Sequence, residues 1–525
     1  MKLLVIADDL TGAMDTGVQF SGKGIRTLVT MDPEICMAGI DPGVLVLVVN
    51  TESRHLSGAA AYQRVHHAAQ SAKQSGIACI VKKTDSTLRG NIGSELQAVL
   101  DAWDTPDIMF LPAYPANGRT TVNGRQYVHG VPLELTSLAA DPLEPITSSD
   151  IRHIIGRQCG YPVVSATTDG FRPPDEFRSS DEFRPPDEFR PPDELRTTHE
   201  LRPPEELRTS DELRTTEMPA CRTAGPNCKT IHIFDSRTQE ELLHAVQWLN
   251  NRHSLHVTAG CAGLASALAD TLDFGTRQEY SEPNDRSEDS ESDDRSECPE
   301  SDSRSSCPAL PSGGMLTACG SLNAVSLAQV AYAADHGFIA VKMTPEEKLA
   351  SPYGDEWLPA EKVGEICRLL DAGRDVMLTA ALETEEIAFC DRLARDKGIS
   401  AHDLPGIITG NMAKIVRAVL QRRDQGLLTV FGGDTAAGIM NQLNVKTLEP
   451  CREIQPGIVL SMLETGSHPI RFVTKAGGFG ENDILIKIKE SICPDPKSIE
   501  TICSTPIRNN TINRMLEPNE HSMEG

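Results

Sequence analysis

Short apolar runs recur along the chain, and each gives way to a polar or glycine-bearing turn. In the first half they are LLVIAD, VLVLVVN at 44–50, ACIVKKTD and IMFLPAY. In the second they are SLHVTAGCAG, GMLTACGS, FIAVKM, DVMLTAA, LLTVFGGD and IRFVTKAGG. The runs are continuous rather than alternating, as in parallel strands buried on both faces. Amphipathic stretches such as AAAYQRVHHAAQSAKQ lie between them and predict helices. The expected fold is α/β: two α/β domains with largely parallel sheets, over residues 1–268 and 313–490, plus low-complexity insertions.

Two tracts break this grammar. Residues 171–218 are tandem hexads of the type FRPPDE and LRTTHE, with arginine every sixth residue from Arg172 to Arg214. A six-residue step turns a helix by about 240°, so Phe and Leu never form one stripe, and the Pro-Pro pairs lack the donors that a helix or sheet needs. The tract reads as a disordered or polyproline-like insertion, with a hexapeptide β-helix as the sharper alternative. Residues 279–312 are rich in Ser, Asp and Glu and read as an acidic disordered linker. Beyond 490 the chain turns polar again, so 491–525 is expected to be a peripheral tail.

Composition narrows the function. The chain has 525 residues, 39% hydrophobic and only 4% aromatic, which is consistent with part of its length lying outside any core. Its formal net charge is −25, most of it in the two tracts. That argues against nucleic-acid and anionic-membrane partners, which require a basic surface. Fourteen cysteines without a C-x-x-C pair fit a reducing cytosol. The opening MKLLVIADDL turns acidic too soon for a signal peptide, and no apolar run is long enough to span a bilayer. A cytoplasmic location is expected, and homo-oligomerisation is left open.

In open α/β sheets ligands bind beyond the carboxyl ends of strands. Three such ends in the first half carry charge: IADDLTGAMDTG (Asp8, Asp9, Asp15), NTESR (Glu52, Arg54) and KKTDSTLRGN (Lys83, Asp85, Ser86, Arg89). Cations could clamp a carboxylate there, and carboxylates could accept a hydroxyl proton or bind magnesium, which suits a polyhydroxy acid. Helix capping and surface ion pairing are the structural alternatives. The second half has glycine-rich ends: VFGGDTAAG (Gly432, Gly433), VTKAGGFGEND (Gly477, Gly478) and TACGSLNAVS (Gly320, Ser321, Asn323). Backbone amides there could approach phosphate oxygens. Neither a P-loop nor a protein-kinase glycine loop occurs.

These stretches, with PAYPANGRTTVNGRQYVHGVPLELT and GCAGLA, resemble in order the four-carbon acid sugar kinases. The resemblance implies a substrate-binding N-terminal domain and a nucleotide-binding C-terminal domain. It also implies substrate contacts at Asp9, Arg54, Lys83, Thr84, Asp85 and Ser86, and ATP contacts at Ser321, Gly432, Gly433, Asp434, Thr435 and Gly478. The expected reaction phosphorylates the 4-hydroxyl of D-threonate or D-erythronate, with ATP and Mg²⁺ as cofactors. Asp85 and Asp9 are the leading proton acceptors, with Asp434 a third, and metal ligands stay unassigned. KKTDSTLRGN is similar to the threonate and erythronate group. A 3-oxo-tetronate 4-kinase is the alternative, and a nonenzymatic sugar-acid sensor is a reading of another class. Met14 and Ala324 depart from the family pattern without touching a charged position.

Overall fold

The computed structural model describes residues 1–166, 229–275 and 314–492, with breaks at 36, 141–143, 322, 351–357, 382–383, 401–402, 424 and 465–468. The hexad tract, the acidic tract and all but the first two residues of the tail lie outside the described residues.

The strands of the first half are β1 (Leu3–Ala7), β2 (Thr27–Thr30), β3 (Val46–Asn50), β4 (Cys79–Lys83), β5 (Asp107–Leu111), β6 (Arg119–Val122), β7 (Arg125–Val128), β8 (Val131–Pro132), β9 (Val163–Ala166), β10 (Thr230–Phe234) and β11 (Val257–Gly260). Those of the second are β12 (Leu316–Cys319), β13 (Ile339–Lys342), β14 (Val376–Thr379), β15 (Leu427–Phe431), β16 (Thr447–Gln455), β17 (Ile458–Glu464) and β18 (Pro469–Lys475). The helices that matter for the site are α1 (Leu10–Ser21), α2 (Gly58–Gln74), α3 (Ile92–Trp103), α4 (Ile151–Gly156), α5 (Gln239–Asn251), α6 (Ala262–Thr271) and α7 (Ala324–Asp335).

Fifteen strands form one mixed sheet, ordered β13-β14-β12-β15-β18-β17-β16-β2-β3-β1-β4-β11-β5-β10-β9, while β6-β7-β8 form a separate small sheet. Both halves are α/β and mostly parallel. The exception is an antiparallel run, β16-β17-β18, whose outer strand pairs with β2 (Thr447 with Thr30, Leu448 with Val29) and so joins the two halves. The apolar runs miss β16 because TLEPCREIQ carries a proline and five charged or polar side chains, and its ladder is irregular at Pro450/Arg452 and Glu453/Gln455.

Alternation along β1 shows why its run is wholly apolar. Leu3, Val5 and Ala7 face one layer with Met14 and Val18 of α1 and Leu264 of α6. Leu4 and Ile6 face the other, with Val65 and Ala69 of α2 and Leu96 of α3. The first layer continues into the second half through Leu316, Val376, Met412 and Phe472, so one core backs both halves.

Candidate active site between the two halves

The carboxyl ends of β1, β3 and β4 lie side by side, since Ala7 is in register with both Asn50 and Lys83. Each apolar strand therefore delivers its first polar residues to one place. Arg54 is the hub. Its Nε lies 2.8 Å from Asp8 Oδ2, and its Nη2 lies 2.8 Å from Asp9 Oδ1 and 3.9 Å from Asp85 Oδ1. Lys83 Nζ reaches the same two aspartates at 3.4 and 3.5 Å. A Cβ on residue 12 would collide with the Lys83 ammonium, so glycine there leaves room for the lysine. Asn91 donates to the carbonyls of Ser53, Arg54 and Leu56 and fixes the turn that carries Arg54.

Asp85 is held on its other side by Arg89, at 2.8 Å from Nε and 3.0 Å from Nη2, and by the Thr87 hydroxyl. Burial works against its charge, but Arg89 and Arg54 hold it well below the usual carboxylate range. Arg54 and Lys83 likewise outweigh burial at Asp8 and Asp9 and keep both low. Asp9 also caps α1, accepting from Gly12 N–H at 2.9 Å and from the Thr11 hydroxyl at 2.6 Å. Thr84 is buried, with its hydroxyl unpartnered, and the Ser86 carbonyl accepts from Gln126.

The second half presents its glycines to this cluster. The helix α8 (Pro345–Lys348) is followed by α9 (Ala360–Asp371), α10 (Thr384–Asp396), α11 (Leu404–Arg422), α12 (Gly433–Leu443) and α13 (Ile484–Ile492). The first turn of α12 begins at Gly433. Gly432 takes φ +98°, a conformation that glycine adopts without penalty. A Cβ on Gly432 would lie 3.6 Å from Ser321 Cβ, and one on Gly320 would strike the Thr435 hydroxyl, so Ser321, Gly432, Gly433 and Thr435 share one cradle. Asp434 is exposed on that turn. Gly478 stands across from Leu138 of the first half, 4.0 Å from where its Cβ would be.

Lys475, at the end of β18, was missed by sequence reading: a lysine after a strand gives no sign that it is buried. Its ammonium is fully buried, lies over the Phe431 ring at 4.6 Å and donates to the Gly477 carbonyl at 2.9 Å. Ser326 donates to the same carbonyl, also at 2.9 Å. A trans peptide points its N–H opposite to its C=O, so this pinning aims the Gly478 amide away from Lys475. Burial pushes the lysine down to about 7. Two further groups escaped notice. Glu453 of β16 accepts from Gln19 and from Gly457 N–H, and burial raises it. Tyr114 comes from the loop after β5, and Arg119 opens β6.

Among the described residues no group of three or more His, Cys, Asp and Glu is arranged to hold a metal, and no helix is long and apolar enough to cross a membrane.

Two family models match the chain. A family model described as a sugar-binding N-terminal domain matches residues 3–268, and one described as a nucleotide-binding C-terminal domain matches 316–485. The chain belongs to the four-carbon acid sugar kinase family. It is 27% identical to a D-threonate kinase of Salmonella typhimurium strain LT2, covering 94% of this chain and 100% of that one. It is 35% identical to a D-erythronate kinase of Heliobacterium modesticaldum, over 31% of this chain and 37% of the relative. A 3-oxo-tetronate kinase of Escherichia coli is 33% identical over 32% and 44% of the two chains. Haemophilus influenzae protein HI1011 shares the fold, with a TM-score of 0.55 at 16% identity over 93% of this chain and 99% of that one.

Proposed function

We propose that this kinase transfers the γ-phosphoryl group of ATP to the 4-hydroxyl of D-threonate, with D-erythronate as the second substrate. The observation that carries the reading is the approach of Gly433, at the cradle, to Thr11, beside Asp9: a Cβ on Gly433 would lie 3.1 Å from the Thr11 hydroxyl. A phosphate at the N-terminus of α12 would therefore adjoin the Arg54, Lys83 and Asp9 cluster. Two threonate kinases matching nearly the whole chain, from Salmonella typhimurium and Cupriavidus necator, support the choice of acid.

The acid lies on the strand ends, with hydroxyls toward Asp9 and Asp85, and the triphosphate lies along Gly432, Gly433, Thr435, Ser321 and Gly478. The 4-hydroxyl oxygen attacks the γ-phosphorus, the bond from phosphorus to the bridging oxygen breaks, and ADP leaves with that electron pair. The hydroxyl proton passes to a carboxylate. We assign this role to Asp9 rather than Asp85, because Arg89 engages both oxygens of Asp85, whereas Asp9 is the more accessible and sits beside Thr11. Lys83 is placed to offset charge on the transferred group. Such transfer depends on alignment and neutralisation more than on covalent chemistry.

Mg²⁺ fits the donors beside the cradle. Burial and then the charge of Asp434 raise Glu52. Hard oxygen ligands of this kind, with phosphate, are what Mg²⁺ takes, and Asp434 and Glu52 would hold it. When bound it supplies positive charge to the phosphates.

A coupled ADP-release assay with D-threonate, D-erythronate and 3-oxo-tetronate tests the reading. The highest kcat/KM is expected for D-threonate. A preference for 3-oxo-tetronate would overturn the substrate choice, and no ADP release with any acid would favour a sensor.

A further inference from the structure

Most cations at these strand ends already have carboxylate partners. Arg54, Lys83 and Arg89 are shared among Asp8, Asp9 and Asp85 within 4 Å. Arg119 differs. It is only 7% exposed, its guanidinium donates from Nη1 to the Asn117 carbonyl, and its buried Nε has no hydrogen-bond partner. A buried guanidinium with an unmet donor is costly in the ligand-free protein, and the cost is recovered when an anion arrives.

Its position is that of a ligand group. The loop that carries it leaves the carboxyl end of β5, and mutual bonds between Tyr114 and Arg119 (Tyr114 N–H to Arg119 carbonyl, 2.7 Å; Arg119 N–H to Tyr114 carbonyl, 3.0 Å) close that loop tightly. Gly260 of β11 is in register with both Lys83 at the end of β4 and Leu111 at the end of β5, so this loop leaves the sheet beside the strand end that carries Lys83 and Asp85. The Asn117 amide nitrogen, the Thr84 hydroxyl and Asp15 Oδ1 are buried and unpartnered as well. Asn117 belongs to the same loop, and Thr84 follows the carboxyl end of β4 next to Lys83.

The guanidinium carbon of Arg119 lies over the Phe479 ring, 5.3 Å from its centroid. Phe479 belongs to the glycine turn of the nucleotide half. An aromatic ring of this kind offers the cation its π face but no oxygen acceptor, so the Nε donor stays unmet.

We propose that Arg119 binds the carboxylate of the four-carbon acid through its Nε edge and is the residue that distinguishes an acid from the corresponding polyol. This rests on the sugar-acid kinase reading above. It assigns the carboxylate end to Arg119 and leaves Arg54 to order the aspartates.

The experiment compares kcat/KM on D-threonate and on D-threitol, the four-carbon polyol without the carboxylate, for wild type, Arg119→Gln and Arg119→Lys. Arg119→Gln is expected to lose at least about 100-fold on the acid and less than threefold on the polyol. Arg119→Lys keeps the charge without the fork and is expected to lose about tenfold on the acid. Equal losses on both substrates, or none, would overturn the proposal. Calorimetric titration of D-threonate and D-threitol without ATP separates the two readings. Acid binding by wild type that Arg119→Gln abolishes, with no ADP release, would sink the kinase reading and sustain this one. Acid binding equally tight in both proteins would overturn this one alone. Should Arg119→Gln fail to fold, Arg119→Lys decides on the same ratio.

Discussion

Gly433 and Thr11 meet across the two halves: a Cβ on Gly433 would stand 3.1 Å from Thr11 Oγ1 and 3.5 Å from its Cγ2. The first turn of α12 is thus set against the first turn of α1 with room for no side chain. Gly433→Val is expected to push the turns apart, turn the cradle amides from the phosphates and weaken ATP binding at least about tenfold, or ~1.4 kcal/mol. Calorimetry of ATP and, separately, of the acid reads the effect. Unchanged ATP affinity in a folded variant would remove this turn from the nucleotide site.

Arg54 invites a different expectation from the one its sequence context gives. Read alone, NTESR offers a cation for the substrate carboxylate. In the fold Asp8, Asp9 and Asp85 surround it, and Asp8 is only 2% exposed. Arg54→Ala leaves buried carboxylates with Lys83 as their main counter-charge, so a stability loss of about 3–5 kcal/mol is expected along with the loss of turnover. Urea denaturation measures it. A variant as stable as wild type, with only a raised acid KM, would return Arg54 to the role of a simple clamp.

The contrast between Arg54 and Arg119 shows what was legible in the sequence. An apolar run that ends in charge, as Val48–Arg54 or Val81–Asp85 does, announces a buried strand and the polar edge where ligands sit. Both parts of that message are local. The glycine turns at 432–433 and 477–478 are local in the same sense, because a positive φ or a close approach marks them. Arg119, Tyr114 and Glu453 reach the site only through the pairing of β6 with β7 and of β16 with β17, whose sequences RTTV, RQYV and TLEPCREIQ have no apolar run. Their burial depends on pairings distant in sequence, and pattern reading sees only polar segments. The joining of the halves through β2 and β16 was hidden for the same reason.

Asp15 makes the protein's stability depend on pH in an unusual direction for a carboxylate. Burial first, then the charge of Glu453, raises it from 3.8 to about 7, while Lys83 and Arg119 pull the other way. Between those two values the unfolded chain has released this proton and the folded chain has not. The unfolded state therefore binds fewer protons, and stability falls as pH rises through the window. Asp15→Asn removes the ionisation. Relative to wild type it is expected to gain on the order of a few kcal/mol between pH 4 and pH 8. Glu453, also raised by burial, keeps part of the slope. Denaturant titrations of both proteins at several pH values give the difference directly, and parallel curves would mean that Asp15 ionises normally.

Deleting residues 171–218 is expected to leave kcat, both KM values and the melting temperature nearly unchanged. That tract lies outside the described residues, so the expectation rests on what flanks it. The strand β9 ends at Ala166, opposite Phe234 at the end of β10, and the two run parallel, so the chain must return the length of the strands before β10 can begin. Strands of four or five residues are about 15 Å long. After the deletion residues 167–170 and 219–228 remain for the return, and at ~3.3 Å per residue they reach roughly 45 Å. A parallel crossover needs a dozen or so residues, which this remnant supplies. Loop-closure entropy grows only with the logarithm of length, so shortening the connection changes stability by about 1 kcal/mol or less. The candidate site residues all lie elsewhere, on the ends of β1, β3 and β4, at the start of β6 and on the turns of the second half. A fall in kcat of more than tenfold, or a large loss of melting temperature, would show instead that the hexads are a structured part of the enzyme.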